Sequence, residues 1–178
     1  DGDANRGVVS AVTPDGKYAV GRLNFADPAR LYEEKVALWD LTTNQLLETP
    51  GIPTKDMAHL NQKMNRFTDI SPDGNTIVGT MSFSYLPTSY DLGGIFSYVY
   101  HRDKQTYDAI GFDETETGRW KAHVDGTMYI THASLSNNGR YVSGSAYMVK
   151  EVSGSEFPSE YEAPFVYDVE AGTIQVYD

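Results

Sequence analysis

One pattern is written three times in this chain: VVSAVTPDGKYAVG at Val8–Gly21, FTDISPDGNTIVG at Phe67–Gly79 and THASLSNNGRYVSG at Thr131–Gly144. Each copy has a strand-like run and a polar turn closing on Gly16, Gly74 or Gly139. A second run follows and ends five positions later, at Gly21, Gly79 or Gly144. Pro14 and Pro72 fit the first central position of a turn, Asp15 and Asp73 can bond the backbone beyond it, and glycine accepts the positive φ that closes it. In the third copy Ser136-Asn137-Asn138-Gly139 does the same work without proline. The return runs are apolar on both faces, with Tyr18 and Val20 alternating with Ala19, Ile77 with Val78, and Tyr141 with Val142. Such strands belong between layers of structure and not at a wet edge.

A second signature follows each copy: VALWDLTTNQLL from Val36, FSYVYHRDKQTYDAI from Phe96 and PFVYDVEAGTIQVYD from Pro164. The turn glycines lie 58 and 65 residues apart, and the aromatic marks Trp39, Tyr100 and Tyr167 lie 61 and 67 apart. Two independent markers keep nearly one period, so the repeats are structural units. Each unit supplies four short strands in a meander, the make-up of a propeller blade. The expected fold is all-β: a single repeat domain over residues 1–178 with blade-like units at about 8–50, 67–112 and 131–178.

SPDG followed by an apolar strand resembles the repeat of bacterial WD40-like, TolB-type propellers. The fuller pattern, with a terminal glycine and a later strand ending near tryptophan, is similar to the extracellular HAF-type propeller repeat. The matching residues are Ala11, Asp15, Gly16, Gly21 and Trp39, then Ile70, Ser71, Asp73, Gly74, Gly79 and Tyr100, and lastly Leu135, Ser136, Gly139, Gly144 and Tyr167. The departures are long insertions and the loss of tryptophan in the second and third copies. The resemblance implies a module of a secreted, periplasmic or cell-surface protein and brings no shared catalytic residues. Closed propellers use four blades or more. Three units therefore imply further blades in a longer chain, a homodimer forming a six-bladed ring, or an open stack.

Composition narrows the function classes. The 25 acidic and 14 basic residues give a formal net charge of -11. A phosphate backbone would be repelled, and no local basic patch is present, so no nucleic-acid partner is expected. No cysteine is present, which removes disulfides and thiolate chemistry. No run is long and apolar enough for a transmembrane segment, and a start at Asp1 without methionine reads as a processed or truncated chain. Asp1, Asp3 and Asn5 alternate like oxygen ligands of a calcium loop. The glycine is one place late at Gly7, and Val12 stands where a bidentate glutamate belongs. No cofactor is expected, with calcium near Asp1, Asp3 and Asn5 a weak alternative.

Met57, Leu60, Met64 and Phe67 recur at helical spacing, with Thr54 as a cap and Asp56 in the first turn, and predict one helix between the first two units. Three insertions occupy the same place in the repeat, between second and third strands: Asn24–Glu34, read as a loop because of Pro28, Met81–Gly94, and MVKEVSGSEFPSEYEA from Met148. Equivalent corners of a repeated scaffold commonly carry its variable function. Tyrosine and tryptophan offer flat apolar surface with a polar edge, suited to protein contacts or to stacking on sugar rings. The candidate binding residues are Phe83, Tyr85, Tyr90, Trp120, Phe157 and Tyr161, which can equally pin the insertions to the sheets.

No histidine pair among His59, His101, His123 and His132 has metal-ligand spacing, and Ser71 reads as a turn former and not a nucleophile. Asp113, Glu114 and Glu116 near Trp120, with Glu33 and Glu34, supply carboxylates in number but without the separation that acid-base work requires. The expected function is a non-enzymatic binding or scaffolding module recognising protein or carbohydrate. The rivals are a carbohydrate-active hydrolase with carboxylates converging from several blades, and a purely structural domain supporting another.

Overall fold

The computed structural model describes residues 6–27, 30–50, 60–85, 94–114, 120–122, 127–150 and 159–177. They form three four-stranded antiparallel sheets, each a meander in chain order. The first is β1 (Arg6–Val12), β2 (Tyr18–Asp27), β3 (Arg30–Asp40) and β4 (Gln45–Leu47). The second is β5 (Leu60–Ile70), β6 (Thr76–Tyr85), β7 (Gly94–His101) and β8 (Thr106–Ala109). A small pair, β9 (Phe112–Glu114) and β10 (Trp120–Ala122), precedes the third, which is β11 (Thr127–Leu135), β12 (Tyr141–Lys150), β13 (Ser159–Asp168) and β14 (Thr173–Val176). The fold is all-β, and its three large sheets are four-stranded meanders, the make-up of a propeller blade.

The turn that opens each blade is built from one hydrogen-bond latch. Thr13 Oγ1 donates to Asp15 Oδ1 at 2.8 Å and accepts the Tyr18 N–H at 3.0 Å. Ser71 donates to Asp73 at 2.5 Å and accepts from Thr76 at 2.9 Å, and Ser136 donates to Asn138 at 2.7 Å and accepts from Tyr141 at 2.9 Å. The same Oδ1 accepts the N–H of Lys17, Asn75 or Arg140. Gly16, Gly74 and Gly139 have φ of 70°, 72° and 70°, the left-handed region that side chains avoid. Ser71 is therefore a turn former, as its place in the repeat implies.

Two apolar seams hold the sheets together. Val20 and Leu38 of the first sheet meet Phe67, Ile77, Met81, Tyr98 and Tyr100 of the second. Val78, Val99 and Ile110 meet Ile130, Val142, Ala146, Phe165 and Tyr167 of the third. The first seam is rich in rings: Phe67 stacks on Tyr100 with centroids 5.8 Å apart, and Tyr100 stacks on Tyr107 at 4.6 Å. The second is mostly aliphatic, with Phe165 and Tyr167, and adds polar ties. Thr68 Oγ1 donates to the Ala133 carbonyl at 3.1 Å, Ser97 Oγ to that of Ile130 at 3.1 Å, and the Leu135 N–H donates to Asp69 Oδ2 at 2.8 Å.

Two expectations are corrected. The helix built on Leu60, Met64 and Phe67 is a strand: Leu60 pairs with Tyr85 and Phe67 with Gly79, while Met57, Thr54 and Asp56 lie outside the described residues. Phe67 is fully buried in the first seam while Arg66 beside it is exposed, so the period that matters is two, and tertiary burial overrides the helical spacing. The first insertion is not a loop along its length. Strands β2 and β3 stay paired out to Asp27 and Arg30, so most of the insertion prolongs the blade as a hairpin, and Pro28 lies outside the described residues.

The terminal glycine of the repeat is a packing requirement. A Cβ at Gly79 would lie 2.4 Å from the Tyr98 ring, whose hydroxyl donates to Asn65 Oδ1 at 2.6 Å. Gly79→Ala is expected to displace that ring and cost about 2–3 kcal/mol, read as a lower urea midpoint with unchanged slope; an unchanged midpoint would show that the ring has room to move.

Candidate functional site

Antiparallel meanders put two kinds of connection at opposite ends of the sheets. One end gathers the latched turns and the tight hairpins β3–β4, β7–β8 and β13–β14. At the other, each second and third strand runs on as a paired arm: Phe25 pairs with Glu33, Phe83 with Gly94, and Lys150 with Ser159. At about 3.3 Å per residue, ten-residue strands such as β6 and β12 reach about 33 Å, and on β12 the seam is buried as far as Met148. Strand β5 packs against β2 and β3, and β11 against β6 and β7. This composite end is the candidate binding surface.

Of the sequence candidates, Tyr161 is the one whose side chain is described. It is half-buried and packs against the second seam, a pinning position from which part of the ring stays accessible. Phe83 and Tyr85 lie on β6 and Trp120 on β10, with side chains outside those described. Tyr90 and Phe157 lie outside the described residues. Tyr147 escaped the sequence reading because it falls inside a repeat strand. It stands on the β12 arm, half-buried, with its hydroxyl on Glu160 Oε2.

At the turn end, an open groove of about 610 Å³ runs between the second and third sheets. Asp73 and Asn75, His101, Lys104 and Asp108, Arg140, and Glu170 to Gly172 line it. Its charges are mostly engaged with one another. His101 Nε2 is 2.9 Å from Asp108 Oδ2, and Arg140 meets Asp168 at 2.9 Å and Glu170 at 3.5 Å. The Ser71 hydroxyl, with the Asn75 N–H, holds the Asp73 carboxyl below its usual range, and Arg140 with the Ala171 N–H does the same for Asp168. At the equivalent outer turns Lys17 and Thr13 bring Asp15 down to about 2, and Thr42 lowers Asp40. Carboxyls so held stay ionised and are poor proton donors near neutrality.

The other expected carboxylates do not converge in what is described. Glu34 faces Arg22 at 3.3 Å on the first sheet. Asp113 and Glu114 are on β9 with side chains outside those described, the side chain of Glu33 is likewise outside, and Glu116 lies outside the described residues altogether. Among the described residues no group of three or more His, Cys, Asp or Glu could hold a metal. Asp1, Asp3 and Asn5 lie outside them. No helix among the described residues is long and apolar enough to cross a membrane.

No protein-family model matches the chain, and no curated protein matches it. Among solved structures it is similar to TolB from Acinetobacter baumannii, with a TM-score of 0.45 and 16% identity over 98% of this chain and 33% of that one. The chain thus spans about a third of the length of that structure.

The depressed carboxyls fix the sign of the acid response. A folded pKa below the unfolded one gives stability that is present above the unfolded value, about 4, and is lost as pH falls through the folded value. The unfolding midpoint is expected to be level from about pH 7 to 5 and to fall below about pH 4. Asp73→Asn copies the amide that Asn138 supplies in the third copy, so it should keep the turn and flatten part of the acid limb. Thermal melts at stepped pH check this; an unaltered limb in the variant would remove Asp73 from the account.

Proposed function

We propose that this chain is a non-enzymatic binding or scaffolding module of a secreted or envelope-associated bacterial protein, recognising protein or carbohydrate through its hairpin arms. The observation that carries the reading is the prolongation of second and third strands in all three blades at one end. Pairing satisfies the backbone of each arm, and on the third sheet Met148, Ala163 and Tyr161 root the arm in the seam, so the arms can present side chains at this end. The aromatic content of the arms, with Phe83, Tyr85, Tyr90 and Phe157 as the sequence candidates beside Tyr147 and Tyr161, suits apolar or sugar-ring contact. The secreted or envelope setting rests on the resemblance of the SPDG-type repeats to extracellular propeller modules. The lowered carboxyls of the turn end favour a scaffold over an acid-base centre there.

The test shortens one arm. Phe83 and Gly94 are register partners, so joining them through Asn-Gly in place of residues 84–93 makes a tight hairpin of the favoured type and leaves both seams intact. Wild type and variant would be titrated against a panel of neutral and acidic polysaccharides and extended peptides, with reducing-end release followed in parallel. The expected result is binding to one class without turnover, weakened at least about tenfold in the shortened variant at unchanged fold. Release of reducing ends that survives repurification would replace this reading with the hydrolase.

A further inference from the structure

Both seams are built alike: one face of a sheet covers the opposite face of the next. The covering face carries Tyr18, Val20 and Leu38 in the first sheet, and Thr76, Val78 and Val99 in the second, with Val20 registered on Leu38 and Val78 on Val99. The receiving face of the second sheet carries Ile70, Ile77, Tyr100 and Tyr107 in successive register, and that of the third Leu135, Val142, Tyr167 and Ile174. The same register in the first sheet runs Val12, Ala19, Trp39 and Leu46, with Val9 on Gly21 as Phe67 is on Gly79. This face is apolar and open at its edges, with Ala19 shielded at its middle. Val9, Val12 and Leu46 are 55%, 50% and 51% exposed, whereas Phe67 and Ile70 at the first two of those places are 0% and 7% exposed.

The turns repeat the contrast. A Cβ on Gly74 would lie 2.7 Å from the ring of Tyr18 in the preceding sheet, and one on Gly139 would lie 3.0 Å from Ser71 Cβ. Gly16 has nothing within 4 Å. Arg102 also covers Tyr18, 4.1 Å above its ring. Its N–H bonds the Asn75 carbonyl as that of Leu41 bonds Lys17 and that of Val169 bonds Arg140, which makes Leu41 its counterpart in the first sheet. Leu41 is exposed. At the far end of the chain Tyr141 stands two residues after Gly139, as Tyr18 does after Gly16, and is exposed too. Ser143 registered on Val166 follows it as Val20 on Leu38 follows Tyr18.

Among the described residues the first and third sheets thus present two halves of one more seam. We propose that a second copy of this chain completes it, the first sheet of one protomer receiving the third sheet of its partner. Gly16 and Leu41 then sit on Tyr141 of the partner subunit, as Gly74 and Arg102 sit on Tyr18. Serine at position 143 is compatible with such a seam, because Thr80 and Ser97 are buried in the existing one and Ser97 is satisfied by a carbonyl. The contact is heterologous, and two of them close a dimer of six sheets without leaving an open face.

Light scattering across a concentration series tests the proposal. The chain should pass from 19.8 kDa to twice that mass. Gly16→Asn suits the left-handed φ, which asparagine tolerates, and meets nothing in the monomer, but places a Cβ where Tyr141 must pack. Tyr141→Ala removes the other half from an exposed position. Each should raise the concentration of half-association at least about tenfold and leave the circular dichroism and thermal midpoint of the dilute monomer unchanged. A chain that stays monomeric throughout, or a dimer that both variants leave intact, overturns the proposal.

Discussion

A four-stranded meander is one layer thick, and both faces of the middle sheet are apolar. It can hide them only between two other layers, and that constraint shapes every unit of this protein. It explains why Ile77 and Val78 are neighbours in sequence, on opposite faces, and both buried. It also explains the latch. A turn that packs against the adjoining sheet carries its hydroxyl out of water, and Thr13 and Ser71 are buried among the polar groups. Both lone-pair and proton needs are then met inside the turn, by the aspartate two residues on and the N–H five residues on, at no cost in unsatisfied groups.

The same scaffold solves its two seams by different chemistry. Between the first and second sheets a cluster of tyrosines and Phe67 fills the space. Burial drives the Tyr98 hydroxyl well above the ordinary tyrosine range and that of Tyr107 to about 12, while bonds to Asn65 and to the Pro50 carbonyl keep both groups satisfied. Between the second and third sheets the residues are smaller and hydroxyl groups tie one sheet's side chains to the next sheet's backbone. Rings give area and tolerate small shifts in registration. Side-chain-to-backbone bonds fix the relative height of two sheets, since Thr68, Asp69 and Ser97 each meet one backbone atom of β11.

Much of this was legible in the chain itself. The glycine of each turn, the proline or asparagine ahead of it and the aromatic mark of the third strand give the blade and its count, because each answers to a local backbone need. What was not legible depended on partners distant in sequence. The stretch around Leu60 carries a helical spacing, yet Phe67 is held by Tyr98 and Tyr100 some thirty residues away. Pro28 signals a break, but the pairing of Phe25 with Glu33 carries β2 and β3 almost to it. The binding residues were the least legible part. Aromatic content marks the arms, whereas whether a ring such as Tyr161 pins its hairpin or greets a ligand is decided by the strand face it falls on.

Among the described residues the seams join sheets that follow one another in the chain. A molecule built this way behaves as a short one-dimensional array, whose stability is a sum of unit terms and nearest-neighbour terms. The middle sheet, clasped on both sides, is the anchor, and the outer two depend on it and not on each other. Whole units can be gained or lost by duplication or deletion at the array's ends without retuning what lies between, so blade number is the evolutionary variable that this architecture leaves most free.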